Sequence, residues 1–420
     1  MRLGKSKVVV PLTALAGVRR GVIVPSRSYR DIQHESGVDS GWPTSVCFLW
    51  GLLTCAVLVA ALYPMQLNRE WGSSIFPAPA HLNVDSPEWM SIVDTKPFLS
   101  NTLPMHVSRP LYPLPAFALK QYVLPQVRAL AMLRWLNVLW LAVGAAGLFW
   151  WTLYWTGNIV AGGVSMVLLC VSPCVQIYLS QPVPTIIGNA VSVVPLALVA
   201  WAARVRIGVW QWVGAGALSA LLILGKEVYS VYLCLFLVAV WHRAWKPMVC
   251  FAAPALVVHV AWLAWVHWGL ALKYDPYGAN QQGFMSWIGS DFVHRTFVAQ
   301  VAFLVRLLAR MVVHSLQAFE VWPILLAGAG WVFLHRKPRA EMVSYLAAFF
   351  VMFFAMNLVT PRICFLIYPC VYPLAAVAIV RIGERAWGRS KSFGALWIGV
   401  VCGLVAASAL IDPYRFFYYG

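Results

Sequence analysis

Of 420 residues, 61% are hydrophobic and 11% charged, proportions that exclude a soluble globular domain, a disordered chain and a collagen-like one. The apolar residues form runs of about 17 to 24 residues between short basic or Pro/Gly-rich breaks, which suits membrane-crossing helices and is too long for barrel strands. The formal charge of +17 comes from 31 Lys+Arg against 14 Asp+Glu and follows those breaks, so it reports orientation in a bilayer and not a nucleic-acid partner.

Residues 1–45 are polar and carry Arg2, Lys5, Lys7, Arg19, Arg20, Arg27 and Arg30, with no small-residue cleavage site after the first apolar run. They read as a cytoplasmic basic arm, and Val46 to Pro64 as an uncleaved first span that delivers Met65 to Arg128 to the outer side. Further spans fall at about 129–153, 159–179, 185–203, 209–225, 228–242, 248–268, 319–334, 342–359, 363–381 and 394–411. The expected fold is therefore an all-α polytopic membrane protein of about 11 transmembrane helices over residues 46–411, with a short outer tail at 412–420. This count puts Arg204 and Arg206, His242 to Lys246, Arg336 to Arg339 and Arg381 to Lys391 on the same side as the basic arm.

That parity requires two apolar stretches not to cross. Leu111 to Pro125 is short and proline-rich, and reads as an interfacial or re-entrant helix. Phe297 to Ala318 places Arg306, Arg310 and His314 every four residues, one polar stripe on a helix that lies flat or lines a cavity. The outer face then carries two sizeable loops, 65–128 and 269–296, and the chemistry belongs there. The cysteines sit mainly inside apolar runs, as with Cys170, Cys174 and Cys234, and read as small buried hydrophobes and not as a disulfide or zinc framework.

With so few acidic residues, their positions carry information. Asp85, Glu88 and Asp94 fall within ten residues of the first outer loop, where Ser86-Pro87-Glu88 reads as a helix start. Asp85 either caps that helix or acts at the membrane surface as a general base or a ligand for a divalent cation. Arg109, in Ser108-Arg109-Pro110, either grips a phosphate or snorkels to lipid head groups. Lys226 and Glu227 stand at the tip of a tight helical hairpin, after Gly225 and before Tyr229 and Tyr232; charges so close to hydrocarbon are functional candidates, against the plainer reading of a pair that marks the turn. Arg362 stands at the outer mouth of a span. Arg109, Lys226 and Arg362 thus reach one face from distant parts of the chain, a pattern for holding a lipid phosphate beneath a carboxylate that activates a nucleophile. His81, His106 and His294 read as solvated loop histidines, and His259 and His267 as hydrogen-bonding groups between helices.

Taken together, Asn83-Val-Asp85-Ser-Pro-Glu88, Arg109-Pro-Leu-Tyr-Pro113, Leu224-Gly-Lys226-Glu227 and Pro361-Arg362-Ile-Cys-Phe-Leu-Ile-Tyr-Pro369 resemble the GT-C superfamily of membrane glycosyltransferases, which includes protein mannosyltransferases and the aminoarabinose transferases of lipid A. The chain departs from many relatives in having Tyr178-Leu-Ser-Gln181 where they carry an acidic residue, and in ending shortly after its last span. The resemblance implies a polyprenyl-phosphate sugar donor, a glycan, lipid or protein acceptor and an inverting displacement at the outer face of a bacterial inner membrane. It further implies Asp85 as base and Lys226, Arg362 and Arg109 on the donor phosphate, with Glu88, Asp94 or Glu227 as acceptor-side or second acidic residues; no cofactor is required, and a divalent cation is the one candidate. The competing expectations are a transporter or lipid flippase, marked by polar residues along the spans, and a noncatalytic membrane subunit.

Overall fold

The computed structural model describes residues 86–100, 106–179, 181–205, 208–226, 231–235, 237, 245–272, 288–289, 291–333, 336–356 and 360–410. Its helices are α1 (Ser86–Asp94), α2 (Leu114–Tyr122), α3 (Ala129–Thr156), α4 (Ile159–Val171), α5 (Pro173–Leu179), α6 (Thr185–Val205), α7 (Val209–Ile223), α8 (Trp245–Ala264), α9 (Phe297–Phe319), α10 (Val321–Phe333), α11 (Arg336–Met356), α12 (Pro361–Cys364), α13 (Tyr368–Arg389) and α14 (Lys391–Leu410). No strand occurs among the described residues. Among the described residues five helices are long and apolar enough to cross a membrane, or six when α4 and α5, bent by 55° at Ser172, count as one broken span, and four shorter apolar helices accompany them. The first expected span, 46–64, lies outside the described residues, and the one at 228–242 largely does.

The two stretches read as non-crossing both form helices. α2 has nine residues, about 14 Å of rise, which is too short to cross. α9 is long and apolar enough by composition, yet it buries only Leu307, Ala318 and Phe319. Its Cys364-facing side packs on α12, and Phe303 meets Phe292 and Phe354 in a ring cluster.

Glycines mark where helices from separate parts of the chain pack side by side. Gly144 and Gly147 of α3 face Ala190 and Val193 of α6, and a Cβ at either glycine would press on α6 at 3.3 and 3.0 Å. Gly216 of α7 lets Phe251 of α8 approach, and Gly330 of α10 lets the Leu374 carbonyl of α13 approach, where a Cβ would lie 1.9 Å away. Small residues at such crossings bring backbones together, which is how apolar helices associate where water supplies no driving force between them.

Local signals set the helix ends. α3 stops at Gly157, whose φ of 62° is left-handed and whose N–H caps the Leu153 carbonyl at 2.8 Å. Asn158 then starts α4 by accepting from the N–H groups of Val160 and Ala161. At the opposite end of the bundle, the Asn137 amide lies 2.7 to 3.3 Å from the carbonyls of Tyr178, Leu179 and Gln181, meeting acceptors that the end of α5 leaves open.

Candidate functional site

The predicted basic residues gather at the bundle end where α5 finishes and α6 begins. Gly225 packs on the first turn of α6: a Cβ there would fall 2.0 Å from Ile187 Cδ1. The next residue, Lys226, lays its stem across Gly188, where a Cβ would lie 2.6 Å from its Cδ and 3.3 Å from its Nζ. Any other residue at position 188 displaces the lysine.

Arg362 approaches from the other side. α12 is one turn long, begun by the Thr360 side chain accepting from the Ile363 N–H, and it presents the Arg362 guanidinium 6.0 Å from the Tyr178 ring centre. Cys174, one turn before Tyr178 on α5, lies within electrostatic reach of both Lys226 and Arg362. α5 therefore forms the floor between the two cations.

The Arg109 segment docks onto the same turn. Leu111 N–H donates to the Leu224 carbonyl at 3.0 Å, and the Val107 carbonyl accepts from Trp262 Nε1 at 2.8 Å. Arg109 itself is half-buried. Tyr112 meets Trp89 of α1 edge to face at 5.2 Å between ring centres, and its hydroxyl adjoins Asn137. An unbroken set of contacts thus leads from α1 through Tyr112 and Asn137 to Tyr178 and Arg362.

The acidic candidates separate. The Ser86-Pro87-Glu88 segment is helical in α1, while Asp85 and Glu227 lie outside the described residues. Glu88 pairs with His106 Nδ1 at 2.7 Å, and the His106 ring stacks against Trp89 at 4.6 Å. His106 is 1% exposed, so it is a structural partner that ties the loop to α1, and the expectation of a solvated histidine is corrected. Asp94 pairs with Lys120 of α2, half exposed and turned toward the interfacial helix. Among the described residues no three His, Cys, Asp or Glu side chains are grouped to hold a metal ion.

Sequence reasoning passed over three polar features at this end. Glu320, between α9 and α10, accepts from Trp322 Nε1 at 2.8 Å and from the Ser408 hydroxyl at 2.5 Å, with a backbone φ of 63° that L-residues seldom adopt. Gln176 of α5 donates to the Ser408 carbonyl at 3.1 Å, so this knot ties α14 to the floor of the site. Thr185 and Asn189, in the first turns of α6, are fully buried. The scarcity of acids in the chain was a signal for Glu320; nothing in the local pattern marks Thr185 or Asn189.

No protein-family model matches the chain, and no curated protein sequence matches it. Among solved structures the chain is similar to ArnT from Cupriavidus metallidurans, in the apo state, with a TM-score of 0.51 and 16% sequence identity. The likeness covers 78% of this chain and 60% of that one, so the chain spans about three fifths of the ArnT chain's length. At this identity it bears on the fold alone, an ArnT-like all-helical arrangement with several apolar helices.

Proposed function

We propose that the protein is a GT-C-type glycosyltransferase that takes its sugar from a polyprenyl-phosphate donor and transfers it to a glycan, lipid or protein acceptor at the outer face of a bacterial inner membrane. The observation that carries this reading is the convergence of Lys226 and Arg362 on α5, with the Arg109 segment hydrogen-bonded to the adjoining turn. The ArnT-like fold supports it. Three half-buried cations drawn from separate segments to one end of an apolar bundle suit an anionic lipid head group.

In this mechanism the donor phosphate lies between Lys226 and Arg362, with Arg109 on its outer side. The acceptor hydroxyl or amine attacks the anomeric carbon from the face opposite the phosphate. The new bond to that carbon forms as the carbon–oxygen bond to phosphate breaks, and the electron pair leaves with the lipid phosphate. Asp85 takes the acceptor proton. The cations stabilise the charge that grows on the departing phosphate, and removal of one such group costs about 10²–10³ in kcat.

A translocation pathway is less well supported. Apart from Arg204 at its far end, the polar groups of α6 run from Thr185 to Ser192, about 10 Å of its length, and the stretch from Val193 to Ala203 is apolar. Purified protein in detergent, given a panel of radiolabelled polyprenyl-phosphate sugars, tests the proposal. Lys226→Ala and Arg362→Gln should each lower kcat about 100-fold or more while the protein stays folded. Full transfer by both variants, or none by the natural chain with any donor, overturns it.

A further inference from the structure

The first turns of α6 hold polar groups that the fold does not use. Thr185 and Asn189 stand four residues apart on one face of the helix, with Gly188 between them. Their exposures are 1% and 0%. Thr185 Oγ1 and both Nδ2 and Oδ1 of Asn189 have no hydrogen-bond partner among the described residues. A buried polar group left unmet destabilises the fold. The pattern stops one turn on, where the Ser192 hydroxyl donates to the Gly188 carbonyl at 2.7 Å. Within α6 the unmet groups thus stand in its first turns, beside the glycine against which Lys226 lies.

That end is also electropositive. A helix N-terminus carries about half a positive charge and presents N–H groups that no helix carbonyl precedes. Side chains on a helix lean toward its N-terminus, so Asn189 lies over the turn that begins at Thr185. The Tyr368 hydroxyl donates to the Asn189 carbonyl of the backbone at 2.5 Å and holds that turn in place. Lys226 lies against the same turn: its flexible stem fills the space over Gly188, with Nζ 3.3 Å from where a Cβ would stand.

We propose that the start of α6 is a subsite for a lipid-linked phosphate ester, in which Thr185 and Asn189 complete the phosphate site begun by Lys226. The Thr185 hydroxyl and Asn189 amide donate to phosphate oxygens. The Asn189 side-chain carbonyl is an acceptor, which a phosphate oxygen does not satisfy, so it takes a hydroxyl of the group esterified to that phosphate. This deepens the proposed function and rests on its donor class.

Binding to the full-length purified protein in detergent tests the subsite, with farnesyl phosphate as probe, followed by titration calorimetry, and thermal unfolding measured without ligand. Asn189→Leu and Thr185→Val should each weaken farnesyl phosphate binding about tenfold, the equivalent of one charge-assisted hydrogen bond. Their melting temperatures should stay level or rise, because each removes a buried group that has no partner. Ser192→Ala, which removes a hydroxyl already bonded, should leave the affinity unchanged. Inorganic phosphate should bind far more weakly than farnesyl phosphate. Unchanged affinity in both variants overturns the subsite and leaves the proposed function standing, as does a fall in melting temperature large enough to show that the groups are structural. Inorganic phosphate binding as tightly as the lipid overturns the lipid-linked assignment. A natural chain that binds no farnesyl phosphate overturns the donor class along with the subsite.

Discussion

Two neighbouring helices, α13 and α14, are both strongly apolar and have opposite surroundings. From Tyr368 to Ile379 every residue of α13 is buried, whereas α14 leaves Phe393, Leu396, Ile398 and Val400 exposed and buries, among its described side chains, Gly394 and Ser408. Hydropathy does not tell them apart, because lipid and protein interior reward the same side chains. The polar minority does. Tyr368 donates to the Asn189 carbonyl and Tyr372 pairs with Ser172. Pro373 deprives the Pro369 carbonyl of its helical partner, and Trp151 Nε1 donates to that carbonyl at 3.0 Å. Each group demands a partner that lipid does not offer, so α13 has to be central. α14 reaches the bundle through Trp397, which donates to the Ile379 carbonyl, and through the knot at Ser408.

Glycine replacement breaks this contrast most severely. Gly330→Leu drives a side chain into the Leu374 backbone, which has no room to yield, and should cost about 3 kcal/mol of stability. Gly399→Leu, on α14, meets nothing within 4 Å and should change the melting temperature hardly at all. Thermal unfolding of the two purified variants in one detergent checks the pair, and equal shifts would mean that α14 is packed as tightly as α13.

Indole replacement gives a smaller and sharper test. Trp151→Phe keeps the ring and removes the N–H that serves the Pro369 carbonyl, leaving a buried acceptor unmet at a cost of about 1–2 kcal/mol. Trp397→Phe removes a donor from the Ile379 carbonyl, whose helical partner at Gly383 is intact, and should cost less than half as much. Chemical denaturation of both variants measures the difference; a larger loss at Trp397 would reverse the argument from proline.

The same logic separates what was legible in the sequence from what was not. Helical class, the short helix after Arg109 and the amphipathic helix from Phe297 all follow from local pattern, since turn chemistry and periodicity act within a few residues. The approach of Lys226 to Arg362 follows from scarcity, because a charge in an apolar chain has few places to go. The burial of His106 was not legible, for its partner Glu88 lies 18 residues away and its ring neighbour Trp89 sits on a different element. Nor were Thr185 and Asn189, which read as ordinary small polar residues until Gly188 is seen beneath the Lys226 stem. Glu320 was missed because its partner Ser408 lies 88 residues on, at the end of the peripheral helix.

An exposed ion pair before α9 carries the contrast to its weakest point. In the turn before α9, Arg295 bonds Asp291 through Nε at 3.0 Å and through a second nitrogen, and its guanidinium lies 5.2 Å from the Phe303 ring centre. The hydrogen bond from Arg295 holds the Asp291 carboxyl below its usual range. A carboxyl depressed in the folded state adds stability above its unfolded pKa of about 3.9, and that stability is lost as pH falls through the folded value. The pair is exposed, so the effect is local and small. Amide protection in the first turn of α9, at Ala299 and Gln300, should therefore fall on acidification below the usual carboxylate range, and Asp291→Asn should remove that dependence. Around Tyr368, where a hydroxyl meets a carbonyl, protection should hold across the same acid range. Acid sensitivity at Tyr368 as steep as at Ala299 would show that the core of the bundle depends on a carboxylate after all.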